Sequence, residues 1–181
     1  LAVPHVIWLE LWSIAIAIVM IVSWFATLFT GRNPDALHRF SGAFVRYSVH
    51  VTSFVLLVAN PFPGFTGAPG SYPVDLQIAP PELQHRWKTF FRLLLAVPAA
   101  VIAGLLGYAL YVAAVFGWFA ALATGRMPTG LQRFGAYGTR YHAQLNAYAL
   151  LLCDRYPYSG PDSEWSDPPV AGPPAPLQTG E

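Results

Sequence analysis

The chain has 181 residues, of which 55% are hydrophobic and only 10% are charged, and its mean hydropathy is +0.44. This composition is typical of a membrane protein and lies far from that of a soluble domain. The formal net charge of +1 offers no excess of positive charge for binding nucleic acid, and a single cysteine, Cys153, excludes an intrachain disulfide.

The sequence contains an internal duplication with an offset of 94 residues. "LAVP" occurs at 1–4 and at 95–98, and "TGR" occurs at 30–32 and at 124–126. Residues 1–64 align with residues 95–158 without a gap and are identical at 22 of the 64 positions. Chance similarity between apolar segments would not keep this register through the polar turn, so we infer two copies of one structural unit.

Each unit contains two hydrophobic segments. They lie at about 5–29 and 43–59 in the first unit and at about 97–123 and 136–153 in the second. The first segment of each unit is long enough to cross a bilayer of about 30 Å, and spans of this kind are helices because backbone groups in lipid must be satisfied internally. We predict an all-α integral membrane protein with four transmembrane helices, arranged as two tandem helical hairpins in a parallel repeat.

The chain divides into four predicted parts. The first membrane unit covers residues 1–64, and a linker rich in proline and glycine covers 65–81. Residues 82–158 form the second unit. The stretch "PELQHRWKTFFRLL" (81–94), which leads into it, is a short interfacial amphipathic helix by its pattern. Residues 159–181 form an acidic, proline-rich tail that we expect to be flexible or to lie on a partner. Because the first unit has no such lead-in helix, we expect a longer N-terminus in the native protein.

The corner between the two segments of each unit has the sequence Thr-Gly-Arg-x-Pro. Glycine just after the last apolar turn favours the left-handed conformation that ends a helix, and proline suits the first position of the next helix. Asn33 is a candidate N-cap for that second helix. We therefore interpret most of the motif as a helix stop, a turn and a helix start.

Six of the ten Lys and Arg residues belong to these two corners. They are Arg32, Arg39, Arg46, Arg126, Arg133 and Arg140. They repeat every seven residues, close to two helical turns, so the last two of each set share one helix face. Two interpretations stay open: general anchoring to the headgroup layer, or a specific site for an anionic lipid or for acidic residues of a partner. The positive charge predicts cytoplasmic corners, with the linker and the tail outside.

Three further polar residues lie inside the predicted spans. Glu10 is in the first span, where a carboxylate is costly and marks a candidate functional site, although Gly104 occupies the equivalent position. Contact with headgroups or with a partner is the simpler interpretation of Glu10. His50 and Asn146 are expected to form hydrogen bonds between helices. No histidine is duplicated as a pair, so we predict neither a metal site nor a cofactor.

Several motifs carry a family resemblance. They are "LAVPH", "FTGRNP" and "NPFPGF" in the first unit and "LAVPA", "ATGRMP" and "DRYPYS" in the second. On these motifs the chain resembles domain-of-unknown-function family 4389, a group of uncharacterised bacterial integral membrane proteins. The resemblance implies two tandem copies and a bacterial cytoplasmic membrane, and it supplies no catalytic mechanism. Asn33, Met127 and Ala99 depart from the family pattern, which weakens any essential role for those side chains.

The sequence offers two main hypotheses for function, and a third, an enzyme, would require Glu10 or His50 to be essential. The chain contains no pairing of a nucleophile with a base, no phosphate-binding glycine loop and no metal-ligand spacing, so we do not expect an enzyme. The first hypothesis is a non-catalytic scaffold or accessory subunit that packs against a larger membrane complex, such as a respiratory or transport assembly, or forms a homo-oligomer. The second is a small lipid-binding or carrier protein whose twin arginine turns hold anionic headgroups.

Overall fold

Four α-helices make up most of this computed structural model, which describes residues 3–160. They are α1 (Val3–Thr30), α2 (Asp35–Val55), α3 (Arg86–Thr124) and α4 (Thr129–Ala149). No strand occurs within 3–160, so the all-α prediction is confirmed there. Nearly all of the predicted tail, 161–181, lies outside the described residues.

Two of these helices, α1 and α3, are long and apolar enough to cross a membrane, judged by length and composition. In their most apolar windows only 11% of the residues of α1 and 22% of those of α3 are buried, so the rest of the chain leaves their outer faces uncovered. α2 and α4 have 21 residues each and are more polar. Within the described residues there are therefore two candidate spans, whereas the sequence predicted four.

The Thr-Gly-Arg corners have the same geometry in both units. Gly31 and Gly125 adopt φ angles of 78° and 73°. Their N–H groups donate to Thr27 O at 2.7 Å and to Ala121 O at 2.8 Å, respectively. The predicted helix stop at the glycine is thus confirmed twice.

Asn33 does not cap α2, contrary to the prediction. Pro34 occupies the N-cap position, and no side-chain cap hydrogen bond is formed there. The side chain of Asn33 is buried, and its Nδ2 donates to Leu151 O at 3.3 Å. Asn33 joins the first unit to the end of the second, a long-range contact that a local capping pattern cannot predict.

We expect Gly31→Ala and Gly125→Ala to destabilise the protein by about 1–2 kcal/mol each, because a residue with a Cβ is strained at positive φ. A Cβ at either position meets no atom within 4 Å, so no steric clash adds to this strain. Gly104→Ala is the matched control, because its Cβ also meets nothing but the residue lies inside α3, where alanine is favoured. Thermal unfolding in detergent should show a lower Tm for the two corner variants only. An unchanged Tm for both would contradict the expected strain.

The four helices form two layers. α1 packs beside α3 in one layer and α2 beside α4 in the other, while α1 also packs on α2 and α3 on α4. Exposed large apolar residues are concentrated on α1 and α3; among the described residues α2 exposes only Phe40 and α4 exposes none. We call α1 and α3 the apolar layer. We call α2, α4, the corners that precede them (residues 31–34 and 125–128) and the connecting segment (residues 56–85) the polar layer.

α2 and α4 run in opposite directions. Near the start of α2, His38 Nε2 lies 3.4 Å from Leu152 O, just beyond the end of α4. Near the start of α4, Gln132 Nε2 donates to Val58 O at 3.1 Å, just beyond the end of α2. His38 and Gln132 are equivalent positions of the duplication, as are Val58 and Leu152. These reciprocal contacts relate the two units by an approximate two-fold axis.

This arrangement corrects the predicted parallel repeat. A parallel relation would bring the starts of α2 and α4 together, but they lie at opposite ends of two 21-residue helices. The Thr-Gly-Arg corners are therefore separated by roughly the length of such a helix, about 30 Å at 1.5 Å per residue. The prediction was wrong because it assumed that both helices of each unit cross the membrane, which would give the two units the same direction.

The start of α3 lies beside the end of α1. Trp24 Nε1 donates to Thr89 O, and Gln84 N donates to Gly31 O, each at 2.8 Å. The lead-in helix predicted from 82 is not a separate element, because α3 is continuous over 39 residues. The connecting segment begins at the end of α2 and leads into α3, which starts beside the end of α1 and hence near the start of α2. The segment therefore runs back along α2.

Candidate functional site

A cluster of three polar side chains holds the connecting segment against α2. Arg46 Nε lies 3.2 Å from Asp75 Oδ1, and its guanidinium donates to Leu76 O and Gly67 O, both at 3.2 Å. His50 Nε2 lies 3.2 Å from the same Asp75 oxygen. Arg46 and His50 are four residues apart on α2, so both face the segment. We call Arg46, His50 and Asp75 the clasp.

The surroundings of Asp75 favour its ionised form. Partial burial raises the pKa of this carboxyl group, but hydrogen bonds from the N–H groups of Gly70 and Leu76, together with His50 and Arg46, outweigh that effect. The pKa of Asp75 therefore lies below its ordinary value. The bond predicted for His50 was to another helix, whereas its observed partner is this carboxylate of the connecting segment.

We expect the clasp to open in acid. Because the pKa of Asp75 is lowered in the folded chain, its stabilising effect is complete above the ordinary aspartate pKa of about 3.9 and is lost as the pH falls through the lowered value. Hydrogen-exchange protection of residues 66–78, corrected for intrinsic rates, should fall in this pH range. Asp75→Asn should show the low protection already at pH 7. Asp35→Asn, which breaks only the exposed pair with Arg32, should retain full protection. Equal protection in both variants would contradict this role of Asp75.

The second unit uses the equivalent positions in a related way. Arg140, the counterpart of Arg46, donates to Gly160 O at 3.2 Å, and its guanidinium lies 5.5 Å from the centre of the Tyr137 ring. Gln144, the counterpart of His50, accepts a hydrogen bond from Tyr158 N at 3.0 Å. In both units these two positions therefore bind the chain that follows the second helix.

The other four predicted arginines lie near the starts of α2 and α4. Arg32 forms an exposed ion pair with Asp35 at 3.2 Å. Arg39, Arg126 and Arg133 are exposed, and within residues 3–160 their side chains form no hydrogen bond or ion pair. Because these two helix starts lie at opposite ends of the polar layer, the structure does not bring the six arginines into one site.

The two other predicted intramembrane residues lie apart from the clasp contacts. Glu10 is exposed on α1, where its carbonyl oxygen accepts a hydrogen bond from Ser13 Oγ at 2.7 Å. Asn146 is half-buried in α4, and its carbonyl oxygen accepts from Leu150 N at 2.9 Å. These bonds belong to local helix structure and assign neither residue to a binding site.

Sequence reasoning missed a buried ion pair between α3 and the chain after α4. Arg92 is 1% exposed, and its Nη2 lies 2.7 Å from Asp154 Oδ1. Its Nη1 donates to Tyr148 O at 2.9 Å and to Cys153 O at 3.1 Å. The signal was present in the sequence, because Arg92 directly precedes the apolar run "LLLAVP", where a charge requires a partner.

A second missed contact joins α1 to α2. His5 Nδ1 lies 2.6 Å from Tyr47 Oη, and the imidazole stacks on Phe65 with ring centres 4.3 Å apart. In the second unit, Tyr141 Oη is 3.4 Å from Ala99 O. In the alignment of the two units, His5 corresponds to Ala99 and Tyr47 corresponds to Tyr141. The tyrosine present in both units was therefore the feature of the sequence that could have indicated this contact.

Three further features bear on the chemistry of residues 3–160. No group of three or more His, Cys, Asp or Glu residues suited to a metal ion occurs there. Burial raises the pKa of the Cys153 thiol, which keeps it protonated and weakly nucleophilic at neutral pH. A cleft of about 210 Å³ between α1, α3 and α4 is lined by apolar groups, among them Trp24 and Ala149, and by Arg92.

The comparisons with known proteins agree with the duplication. One family model, described as Domain of unknown function (DUF4389), matches residues 1–66 and residues 86–159. The two matches contain the two pairs of helices and leave out most of the connecting segment. No curated protein and no solved structure matches the chain.

Proposed function

We propose that this chain, which belongs to the DUF4389 family and contains two copies of its domain, is a non-catalytic accessory subunit of a larger complex in the bacterial cytoplasmic membrane. The observation that carries the proposal is the contrast between the two layers. The apolar layer presents side chains suited to lipid, whereas the polar layer presents few. A single copy alone in a bilayer would expose polar helices and irregular backbone to hydrocarbon, so the chain needs a neighbour.

In this proposal α1 and α3 cross the bilayer in opposite directions. Their 28 and 39 residues correspond to about 42 and 58 Å at 1.5 Å per residue, more than the hydrocarbon core of about 30 Å. The end of α1 lies beside the start of α3, where Trp87 is 79% exposed and suits the headgroup level. The two Thr-Gly-Arg corners then lie on opposite membrane faces, which replaces the expectation that both are cytoplasmic.

The paired ionisable groups support an anchoring role over a catalytic one. Arg46 and Asp75 are bonded to each other and to backbone groups, and Arg92 and Asp154 pair in the same manner. These groups are engaged in holding the chain segments that follow α2 and α4. A carrier that holds one lipid headgroup between both arginine turns finds less support, because the turns lie at opposite ends of the polar layer.

Extraction of native membranes into polymer-bounded lipid discs, followed by native mass spectrometry, tests the proposal. We expect the chain, expressed at its natural level, in a particle of fixed stoichiometry with at least one other membrane protein. An unrelated tagged membrane protein from the same cells identifies proteins that are extracted non-specifically. Recovery of the chain with lipid only, or with copies of itself only, would overturn the accessory function.

A further inference from the structure

We propose that the polar layer is the face that binds the partner subunit, and that the partner supplies carboxylates opposite Arg39, Arg126 and Arg133. This inference rests on the proposed accessory function and assigns it a surface and a chemistry. Three properties of the polar layer carry it: the course of its backbone, the size of its exposed side chains and its unpaired positive charge.

The connecting segment brings irregular backbone along the full length of α2. It packs closely on that helix, since a Cβ added to Gly42 would lie 3.0 Å from Ile78 Cδ1, and the clasp fixes its middle. Non-helical backbone at membrane depth is tolerated only where protein covers it or where it lines a water-filled cavity. The outer side of the connecting segment therefore does not face lipid chains.

The exposed surface of α4 suits close approach of another protein. Its exposed residues are small or polar, and Gly130, Gln132 and Ala136 are among them. Small side chains at a helix surface let a second membrane helix come close. The exposed apolar residues Phe62 and Leu83 lie near the two ends of the connecting segment, so they would form the edges of this interface.

The charge of the polar layer indicates what the partner must provide. Arg39 lies near the start of α2, and Arg126 and Arg133 lie near the start of α4, with no carboxylate paired to them within residues 3–160. A partner covering both ends would need acidic residues about 30 Å apart, the length of a 21-residue helix. Lipid phosphates could meet these arginines at the membrane edges, but they would leave the connecting segment uncovered, so the geometry favours an acidic protein.

Site-specific photo-crosslinking in native membranes tests the surface. A photoreactive residue is placed singly in the full chain at Gln77 and Ala136 of the polar layer, or at Ile18 and Leu105 of the apolar layer; all four residues are exposed. We expect adducts with one and the same protein from the first pair and lipid adducts alone from the second. Protein adducts from the apolar layer only, adducts with a second copy of the chain, or lipid adducts at all four sites would each overturn the inference.

Charge reversal tests the chemistry. Arg39→Glu combined with Arg133→Glu should lower the partner recovered per chain at least about tenfold, because apposed like charges are strongly unfavourable at an interface. Arg86→Glu combined with Arg155→Glu reverses two exposed charges outside the polar layer and should leave recovery unchanged. Equal Tm values for both double variants show that folding is intact, and equal recovery would overturn the acidic partner. If native mass spectrometry still recovers the chain with a partner protein but the crosslinking and charge-reversal results differ from those expected, the proposed surface is wrong. If no partner protein is extracted at all, the proposed accessory function itself is wrong.

Discussion

Arg92→Met is expected to lower the free energy of unfolding by about 3–5 kcal/mol, the usual cost of removing one partner of a buried ion pair. Arg92 donates to Asp154 and to the carbonyl groups of Tyr148 and Cys153. Methionine fills a similar volume but donates no hydrogen bond, so the largely buried carboxylate of Asp154 loses its closer cation. The carbonyl groups of Tyr148 and Cys153 each lose the bond from Arg92. Chemical or thermal unfolding in one detergent, followed by tryptophan fluorescence, measures the loss.

Lys88→Met is the matched control for this prediction. Lys88 Nζ lies 3.4 Å from the other oxygen of Asp154, but its side chain is 56% exposed. An exposed pair of this kind contributes about 0–1 kcal/mol. Combining Arg92→Met with Asp154→Leu should recover part of the loss, because no uncompensated carboxylate then remains. A loss for Arg92→Met no larger than that for Lys88→Met would contradict the assignment of Arg92 as a buried anchor.

The local parts of this fold could be predicted from its sequence. Glycine at positive φ and proline before a helix impose the same corner wherever they occur, so Gly31 and Gly125 were placed correctly. Apolar length likewise identified α1 and α3 as candidate spans. The corners and the apolar helices depend on neighbouring residues alone. Because each occurs in both units, the duplication supplied an internal check on each prediction.

The relation between the units could not be predicted in the same way. It depends on contacts such as His38 with Leu152 O and Gln132 with Val58 O, which join residues more than 70 positions apart. Nothing in the spacing of either unit encodes them. The same reasoning explains the arginines: a spacing of seven placed Arg39 and Arg46 on one face, yet only Arg46 is covered, because the connecting segment folds back over it.

The duplication also supplies a prediction about the ends of α2 and α4. Leu57 and Leu151 are equivalent residues with φ angles of 56° and 59°, the left-handed region that glycine normally occupies at a helix end. Their N–H groups donate to Phe54 O and Tyr148 O, both at 3.2 Å. The two backbones are therefore alike, and the side chains differ in burial, since Leu151 is 1% exposed and Leu57 is half-buried.

Leu151→Ala is expected to cost about 2–5 kcal/mol, the range for removing a buried leucine side chain, whereas Leu57→Ala should cost roughly half as much. Alanine retains the Cβ, so backbone strain changes little in either variant and the difference between their free energies of unfolding reports side-chain packing alone. The buried amides of Asn33 and Gln84 both donate to the carbonyl oxygen of Leu151, so this residue lies at the junction of the two units. Its side chain is 1% exposed. Equal losses would contradict the tighter packing of Leu151.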